Sequence, residues 1–168
     1  MIKTVVDSDK ALRDLAELAV ELRLPAVKAG LRRAGSMMAR TMKSLAPSDK
    51  GRLRKSISSR QLSLSAGDRI DVFGGRNVEA QSAVLVGPNI NVRGRLSSSV
   101  ALWLEEGTRA HEIKGRKGGM LEFEGFFARK VNHPGIRPQP FMQRAAEATP
   151  VESLFYEGLS RYIERKSA

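Results

Sequence analysis

The stretch Ala46-Pro47-Ser48-Asp49-Lys50-Gly51-Arg52-Leu53-Arg54-Lys55-Ser56-Ile57 separates two kinds of sequence pattern. Before it, apolar residues recur at three- and four-residue steps, which is typical of amphipathic helices. After it, short apolar runs alternate with polar residues between turn signals, which is typical of strands. Pro47 and Gly51 mark the turn itself, because Gly51 lets the chain pass from helix to strand. The stretch therefore predicts an α+β fold that begins with helices.

The predicted helices before this turn span residues 7–45. Pro25 is expected to end a first helix, over 7–23, and to open a second that runs to Leu45. Gly30 and Gly35 should weaken the second helix by about 1 kcal/mol each relative to Ala. The apolar face of this second helix is formed by Val27, Leu31, Ala34, Met38 and Leu45. Its opposite face carries Lys28, Arg32, Arg33, Arg40 and Lys43.

Residues 56–87 are predicted to be rich in strands that pair as antiparallel hairpins, because their connections are too short for parallel crossovers. Ile57 is out of phase with Leu62 and Leu64, which predicts a bulge or a break near Ser59. A short helix is expected over 98–106, and Gly107 is well placed as its C-terminal cap.

The remaining chain is predicted to be a long loop followed by helix. Residues 109–138 are rich in glycine and basic residues, and only 120–123 resemble a strand. A C-terminal helical region is expected over 140–166, opened by Pro140 and interrupted by Pro150. Thr149 should cap the helix that restarts there, and Val151, Phe155, Leu159 and Tyr162 should line its buried face.

The expected architecture is a single domain over residues 1–168, since 168 residues suit one domain. N-terminal helices and a C-terminal helix should pack on a mainly antiparallel sheet, with a long loop at 109–136. Only 5% of the residues are aromatic, so the core must depend on Leu, Val, Ile, Ala and Met. A core of this kind predicts that neighbouring subunits contribute to stability.

Composition excludes several classes of site and location. The chain has no cysteine, which excludes disulfides, thiolate metal sites and a cysteine nucleophile. Residues 1–12 lack the apolar stretch of a signal peptide, and no run approaches the roughly 20 apolar residues of a membrane span. The chain is therefore expected to be made and kept in the cytoplasm.

The positive charge is concentrated in one segment. The chain carries a net charge of +11, and residues 23–60 contain 11 basic residues and one acid. Such density favours an interaction surface for phosphate or for an acidic protein over an ordinary solvated face. The segment has no aromatic residue on which bases could stack and no DNA-recognition motif, so sequence-specific reading of DNA is not expected.

Candidates for catalysis and metal binding are weak. Residues 30–36 have the glycine spacing of a phosphate loop but lack its lysine and fall in a helical pattern. His111 and His133 belong to a basic, glycine-rich segment, where ordinary hydrogen bonds are the better interpretation. Glu105 and Glu106 point about 100° apart on a helix, so they cannot share a site. The sequence therefore predicts no catalytic residue, no metal, no cofactor and no enzyme activity.

Three segments, in order, resemble the HK97 gene-product-10-like phage tail component family. They are Ala46–Ile57, Ala101–Thr108 with its Glu-Glu-Gly-Thr ending, and Arg137–Ala145 with Pro140-Phe141. The stretch Lys130-Val131-Asn132-His133-Pro134-Gly135 also resembles Mu-type virion morphogenesis proteins. The matched segments and their spacing cover somewhat more than half of the chain. The family's structural motif would fall here on Pro47, Gly51, Gly107, Pro140 and Phe141.

The resemblance implies a tail-completion or neck component of a tailed bacteriophage virion. Such proteins assemble as rings, commonly sixfold, through which DNA passes, and they contact neighbouring neck and tail proteins. Under this interpretation, Glu105 and Glu106 of one subunit would approach Arg52 and Arg54 of the next. Arg32, Arg40 and Lys43 are the further candidates for the subunit or partner interface.

Other interpretations remain open. A tail terminator ring fits the same resemblance. A nonspecific DNA-binding protein would use the basic segment 23–60, and its affinity would fall steeply with salt. An enzyme, such as a nuclease built on the two histidines and nearby glutamates, ranks third.

Overall fold

The computed structural model describes residues 20–48, 51–62, 64, 69–72, 76–88, 96–115, 119–123 and 125–167. Its helices are α1 (Val20–Leu45), α2 (Arg52–Ser56), α3 (Leu96–Glu106), α4 (Phe141–Ala148) and α5 (Val151–Ser167). Its strands are β1 (Ile57–Leu62), β2 (Arg69–Val72), β3 (Arg76–Glu79), β4 (Ala83–Pro88), β5 (His111–Lys114), β6 (Leu121–Phe123), β7 (Phe126–Ala128) and β8 (Lys130–His133). The strands pair as β1–β4, β2–β3, β5–β8 and β6–β7, all antiparallel. The α+β prediction is confirmed.

Helix α1 passes through Pro25 without ending, so the predicted division at that residue is wrong. A proline inside a helix removes one backbone hydrogen bond, which tertiary packing can offset. Here the following residue, Ala26, is completely buried against Phe155 and Leu159 of α5. The part of the predicted first helix before residue 20 lies outside the described residues.

Glycines allow the close approach of α1 to its neighbours. A Cβ atom on Gly158 of α5 would lie 2.6 Å from the Cβ of Arg33 and 2.9 Å from the Cα of Gly30. A Cβ on Gly30 would lie 2.7 Å from the backbone oxygen of Phe155. Gly35 plays the same role towards β4, since its Cβ would lie 2.5 Å from a methyl group of Val84. Gly30 and Gly35, which were predicted to weaken the helix, are therefore the points where α5 and β4 approach α1 most closely.

Strands β1 and β4 pack on α1. Their register runs without interruption from Ile57 opposite Pro88 to Leu62 opposite Ala83. The predicted bulge or break near Ser59 is therefore wrong, because Ser59 pairs regularly with Val86. Within the described residues the strands form four two-stranded pairs rather than one sheet.

The segment predicted as a long loop, 109–136, contains two antiparallel pairs. Strands β5 and β8 pair from His111 opposite His133 to Lys114 opposite Lys130. Farther along the chain, β6 and β7 form a hairpin closed at Phe123 and Phe126, and Gly125 takes a positive φ of 88° in its turn. Glycine is favoured in such a two-residue turn, and short alternating segments on either side of it are long enough to pair. We call residues 109–135 the arm.

The C-terminal helices follow the predicted interruption at Pro150. Phe155 and Leu159 are buried on α5, and Val151 and Tyr162 pack beside them, as predicted. Thr149 differs from its predicted capping role, because its hydroxyl donates to the carbonyl oxygen of Ala145 at 2.6 Å. This bond satisfies the end of α4 rather than the start of α5.

Two groups of buried side chains hold the elements together. The helical cluster lies between α1 and α5 and contains Ala26, Ala34, Phe155 and Leu159. The main cluster joins α1, α2, the β1–β4 pair, α3 and α4. Its members are Met38, Ala39, Met42, Ala46, Leu53, Ile57, Val86, Ala101, Phe141, Met142 and Ala145. No arm residue belongs to either cluster among the described residues.

Candidate functional site

The turn after α1 is held by its own backbone and by one arginine. Gly51 has φ 69° and precedes α2, with open space where a Cβ would be. Its glycine is therefore required for the left-handed backbone and not for close packing. The Nε atom of Arg54 donates to the carbonyl oxygen of Ala46 at 2.8 Å. A cation at this point also suits the negative end of the α1 dipole.

Glu105 caps a helix in another part of the chain. Its carboxylate accepts hydrogen bonds from the backbone N–H groups of Met142, at 3.0 Å, and Gln143, at 2.8 Å. These are early N–H groups of α4, which have no partner within their own helix. Pro140, just before α4, supplies no side-chain cap. Glu105 therefore has a role within the chain, whereas the sequence prediction assigned it to a contact between subunits.

Glu106 lies on the exposed side of α3, as expected for the neighbour of a half-buried residue on a helix. Gly107 ends the helix with φ 75°, which confirms its predicted place as the cap. A Cβ there would lie 2.6 Å from the backbone oxygen of Ile136. Gly107 is thus needed both for its backbone conformation and for the close approach of the chain that returns from the arm.

Thr108 and Ile136 close the base of the arm. The N–H of Thr108 donates to the oxygen of Ile136 at 2.9 Å. In return, the N–H of Ile136 donates to the carbonyl and hydroxyl oxygens of Thr108, at 3.1 and 3.0 Å. Next to this bridge, the N–H of Gln139 donates to the oxygen of Leu104 at 2.6 Å. Backbone hydrogen bonds therefore connect the segment Ala101–Thr108 to the start of the segment Arg137–Ala145.

The three separated segments that carry the family resemblance meet in the main cluster. Ala46, Leu53 and Ile57 come from the first, Ala101 from the second, and Phe141, Met142 and Ala145 from the third. Phe141 is 2% exposed and anchors the start of the last helical region in this cluster. Pro47 and Pro140 lie half-buried at the edges of this region. The sequence could not show this convergence, because the segments are tens of residues apart.

The predicted basic face of α1 is largely exposed. Arg32, Arg40 and Lys43 are solvent-exposed and lie within about 80° of one another around the helix. Arg33 does not belong to this face, since its guanidinium pairs with the Glu157 carboxylate at 3.0 Å. Arg52 and Arg54 are also exposed, on α2. The structure thus places the predicted basic interface residues on two consecutive helices.

The two histidines lie opposite each other across β5 and β8, with ring centroids 5.1 Å apart. Nδ1 of His111 is 2.9 Å from the oxygen of Arg109, and Nδ1 of His133 accepts from the N–H of Gly135 at 3.0 Å. These local bonds match the predicted ordinary role. In the part of the chain that the structure describes, no group of three or more His, Asp or Glu residues is placed to hold a metal ion.

One exposed carboxyl group in the arm has a shifted pKa. Glu112 pairs with Lys114 at 2.9 Å and with Lys130 on the opposite strand at 3.1 Å. The hydrogen bond from Lys114, and then that from Lys130, lower the pKa of Glu112 below its ordinary value. Exposed ion pairs of this kind contribute little to stability. The pair with Lys130 links β5 to β8.

Sequence reasoning missed the exposed apolar surface of the arm. Phe123, Phe126 and Phe127 are 46%, 79% and 62% exposed. The available signal was Phe123-Glu124-Gly125-Phe126, in which a two-residue turn containing glycine separates two short apolar runs.

Among the described helices, none is both long enough and apolar enough to cross a membrane.

Comparisons with protein-family models, with curated proteins and with solved structures gave no match to this chain.

Proposed function

We propose that this chain is a structural protein of a tailed bacteriophage virion, a tail-completion or neck component that forms a ring at the head–tail junction. Its partners are copies of itself, commonly six in such rings, and the neighbouring neck and tail proteins. DNA would pass through the ring. A tail terminator ring is a variant of the same proposal.

The observation that carries this proposal is the convergence of the three resembling segments on the main cluster. Each segment is short and weak as a motif, but together they provide seven of the cluster's 11 buried residues. The second and third segments also bond to each other directly, through Glu105 to the N–H groups of Met142 and Gln143 and through the N–H of Gln139 to the oxygen of Leu104. Their convergence supports reading them as parts of one architectural unit, and the resemblance supplies the role of that unit.

The bonds made by the motif residues are also architectural. Glu105 accepts from backbone N–H groups, Arg54 donates to a backbone oxygen, and Thr108 bridges to Ile136. Glu105 and Thr108 each position a segment that is distant in sequence, and Arg54 positions α2 against the end of α1. A protein whose role is to assemble needs such a rigid body from which interaction surfaces can project.

The test is the composition and joining of particles. A phage or prophage that encodes the chain is grown with and without its gene, and purified particles are analysed by mass spectrometry and electron microscopy. We expect the protein in complete particles, and separate heads and tails when the gene is deleted. Tails of abnormal length would instead favour the terminator variant. Complete, infectious particles without the protein would overturn the proposal.

Nonspecific DNA binding is a second candidate because Arg32, Arg40 and Lys43 form one exposed basic stripe on α1. It predicts affinity for duplex DNA that falls steeply as salt rises. The triple variant Arg32→Glu/Arg40→Glu/Lys43→Glu would then lose affinity at least tenfold. A matched control reverses three exposed charges on the C-terminal helices, Arg144, Arg165 and Lys166. Equal effects of the two triple variants would argue against a specific DNA-binding face.

A further inference from the structure

The exposed large apolar side chains of the described residues fall in two places. Two of them, Leu102 at 46% and Trp103 at 44% exposure, lie on α3. The others lie in the arm and are Met120, Phe123, Phe126 and Phe127. Because isolated exposed apolar residues are ordinary but grouped aromatic ones mark interaction sites, both groups call for a partner.

The hairpin of β6 and β7 has one apolar face. Directly opposed residues of an antiparallel pair project to the same side, so Phe123 with Phe126 and Leu121 with Ala128 form this face. Glu122 and Phe127 oppose each other on the other side. A two-stranded hairpin is marginally stable by itself in water. The main contacts of these strands are with each other, and their apolar face has no covering element among the described residues.

The apolar patch of α3 has an acidic neighbour. Leu102 and Glu106 are four residues apart and Trp103 and Glu106 are three apart, so all three lie together on the helix surface. Glu106 is exposed, whereas Glu105 is turned to α4. We call Leu102, Trp103 and Glu106 the α3 patch.

The charges of the two surfaces are complementary. Residues 96–106 of α3 contain two acids and no basic residue, and the arm contains six basic residues and three acids. Of the arm's bases, Arg129 directly follows β7 and is exposed. Opposite net charges steer two surfaces together and fix their orientation, while the apolar groups supply most of the affinity.

We propose that the apolar face of the arm of one copy docks on the α3 patch of the next copy. This inference rests on the proposed ring function and names the contact that would build it. The two surfaces are different, so the association is head-to-tail and can close into a ring. The arm follows α3 after Gly107 and Thr108, and the Thr108–Ile136 bridge holds the base of the arm in place. The apolar side chains of the arm and of the α3 patch are both exposed within one copy.

The test uses three variants of the full chain, each checked for folding by circular dichroism. The arm variant is Phe123→Ser/Phe126→Ser, and the receptor variant is Leu102→Ser/Trp103→Ser. The control is Phe127→Ser, a single substitution of the same kind on the opposite side of the hairpin. Masses are measured by light scattering over a series of protein concentrations.

We expect discrete oligomers for the unaltered chain and for Phe127→Ser, and monomers for the arm variant and the receptor variant alone. An equimolar mixture of these two variants should form a one-to-one heterodimer, because it restores a single junction that cannot propagate. Formation of the heterodimer also proves that each variant keeps its intact surface folded.

Three results would overturn the contact. They are a monomeric unaltered chain at every concentration, oligomers that survive both variants, and a mixture of folded variants that stays monomeric. None of these depends on whether the protein is found in phage particles, so the particle test of the proposed function and this test fail separately.

Discussion

At the scale of single residues, side chains of the resembling segments act on backbone groups outside their own helix. Glu105 satisfies two N–H groups of α4 from a different helix, and Arg54 satisfies a carbonyl oxygen at the end of α1. Helix ends leave such groups without partners, and burying them unpaired costs free energy. This explains how a charged residue can be required for folding without having any chemistry to perform.

Replacing Glu105 by alanine should lower the free energy of unfolding by about 1–2 kcal/mol, because two N–H groups lose a charged acceptor. Glu106→Ala is the matched control, since Glu106 is exposed on the same helix, and its effect should stay within about 0.5 kcal/mol. Urea denaturation at low protein concentration measures both. Equal losses for the two variants would contradict the assignment of Glu105 as the cap of α4.

At the scale of elements, α1 is the helix on which the rest of the fold is arranged. It contacts α5, α4 and both strands of the β1–β4 pair. Two glycines on α1 and one on α5 allow the closest of these approaches. Helix propensity alone disfavours glycine at these positions, so the packing must more than offset that cost.

Gly158→Ala tests this balance. Alanine favours a helix by about 1 kcal/mol, but its Cβ would contact backbone atoms of α1, which cannot move aside. We expect a net loss of about 1–3 kcal/mol, as for overpacked cores. Ser160→Ala, at an exposed position of α5, should change stability little. Thermal unfolding distinguishes the two, and a higher melting temperature for Gly158→Ala would count against the packing argument.

At the scale of the whole molecule, the apolar residues fall into buried clusters and an exposed set in the arm and on α3. The main cluster is built by segments from most of the described chain, from α1 to α4. No described residue of the arm belongs to either cluster, and the arm's phenylalanines are exposed. Side chains that do not stabilise the monomer are available to stabilise an assembly.

Phe141→Ala should therefore cost about 3–5 kcal/mol of monomer stability, because it removes a buried aromatic side chain from the main cluster. Phe126→Ser, at a residue that is 79% exposed, should leave monomer unfolding nearly unchanged. Both are measured by chemical denaturation of the dilute protein. A large loss for Phe126→Ser would mean that the arm packs on the body of its own chain.

The sequence by itself determined much of the local structure. Apolar periodicity predicted the buried face of α5, and Gly107 predicted the end of α3. The turn signal after Leu45 predicted the end of α1, but the predicted passage straight into a strand is wrong, because the short helix α2 lies between Gly51 and β1. It also placed Arg32, Arg40 and Lys43 on an exposed face of α1. These features depend on residues within a turn or two of each other, so local spacing carries the information.

Tertiary structure alone decided the rest. Helix α1 continues through Pro25 because Ala26 packs against α5, and Glu105 caps a helix that begins 36 residues farther along the chain. Strands β5 and β8 of the arm form where the glycine-rich sequence indicated a loop. In these three cases the deciding partner is distant in sequence. Its contact energy overrides a local preference of about 1–3 kcal/mol, and no local pattern records that energy.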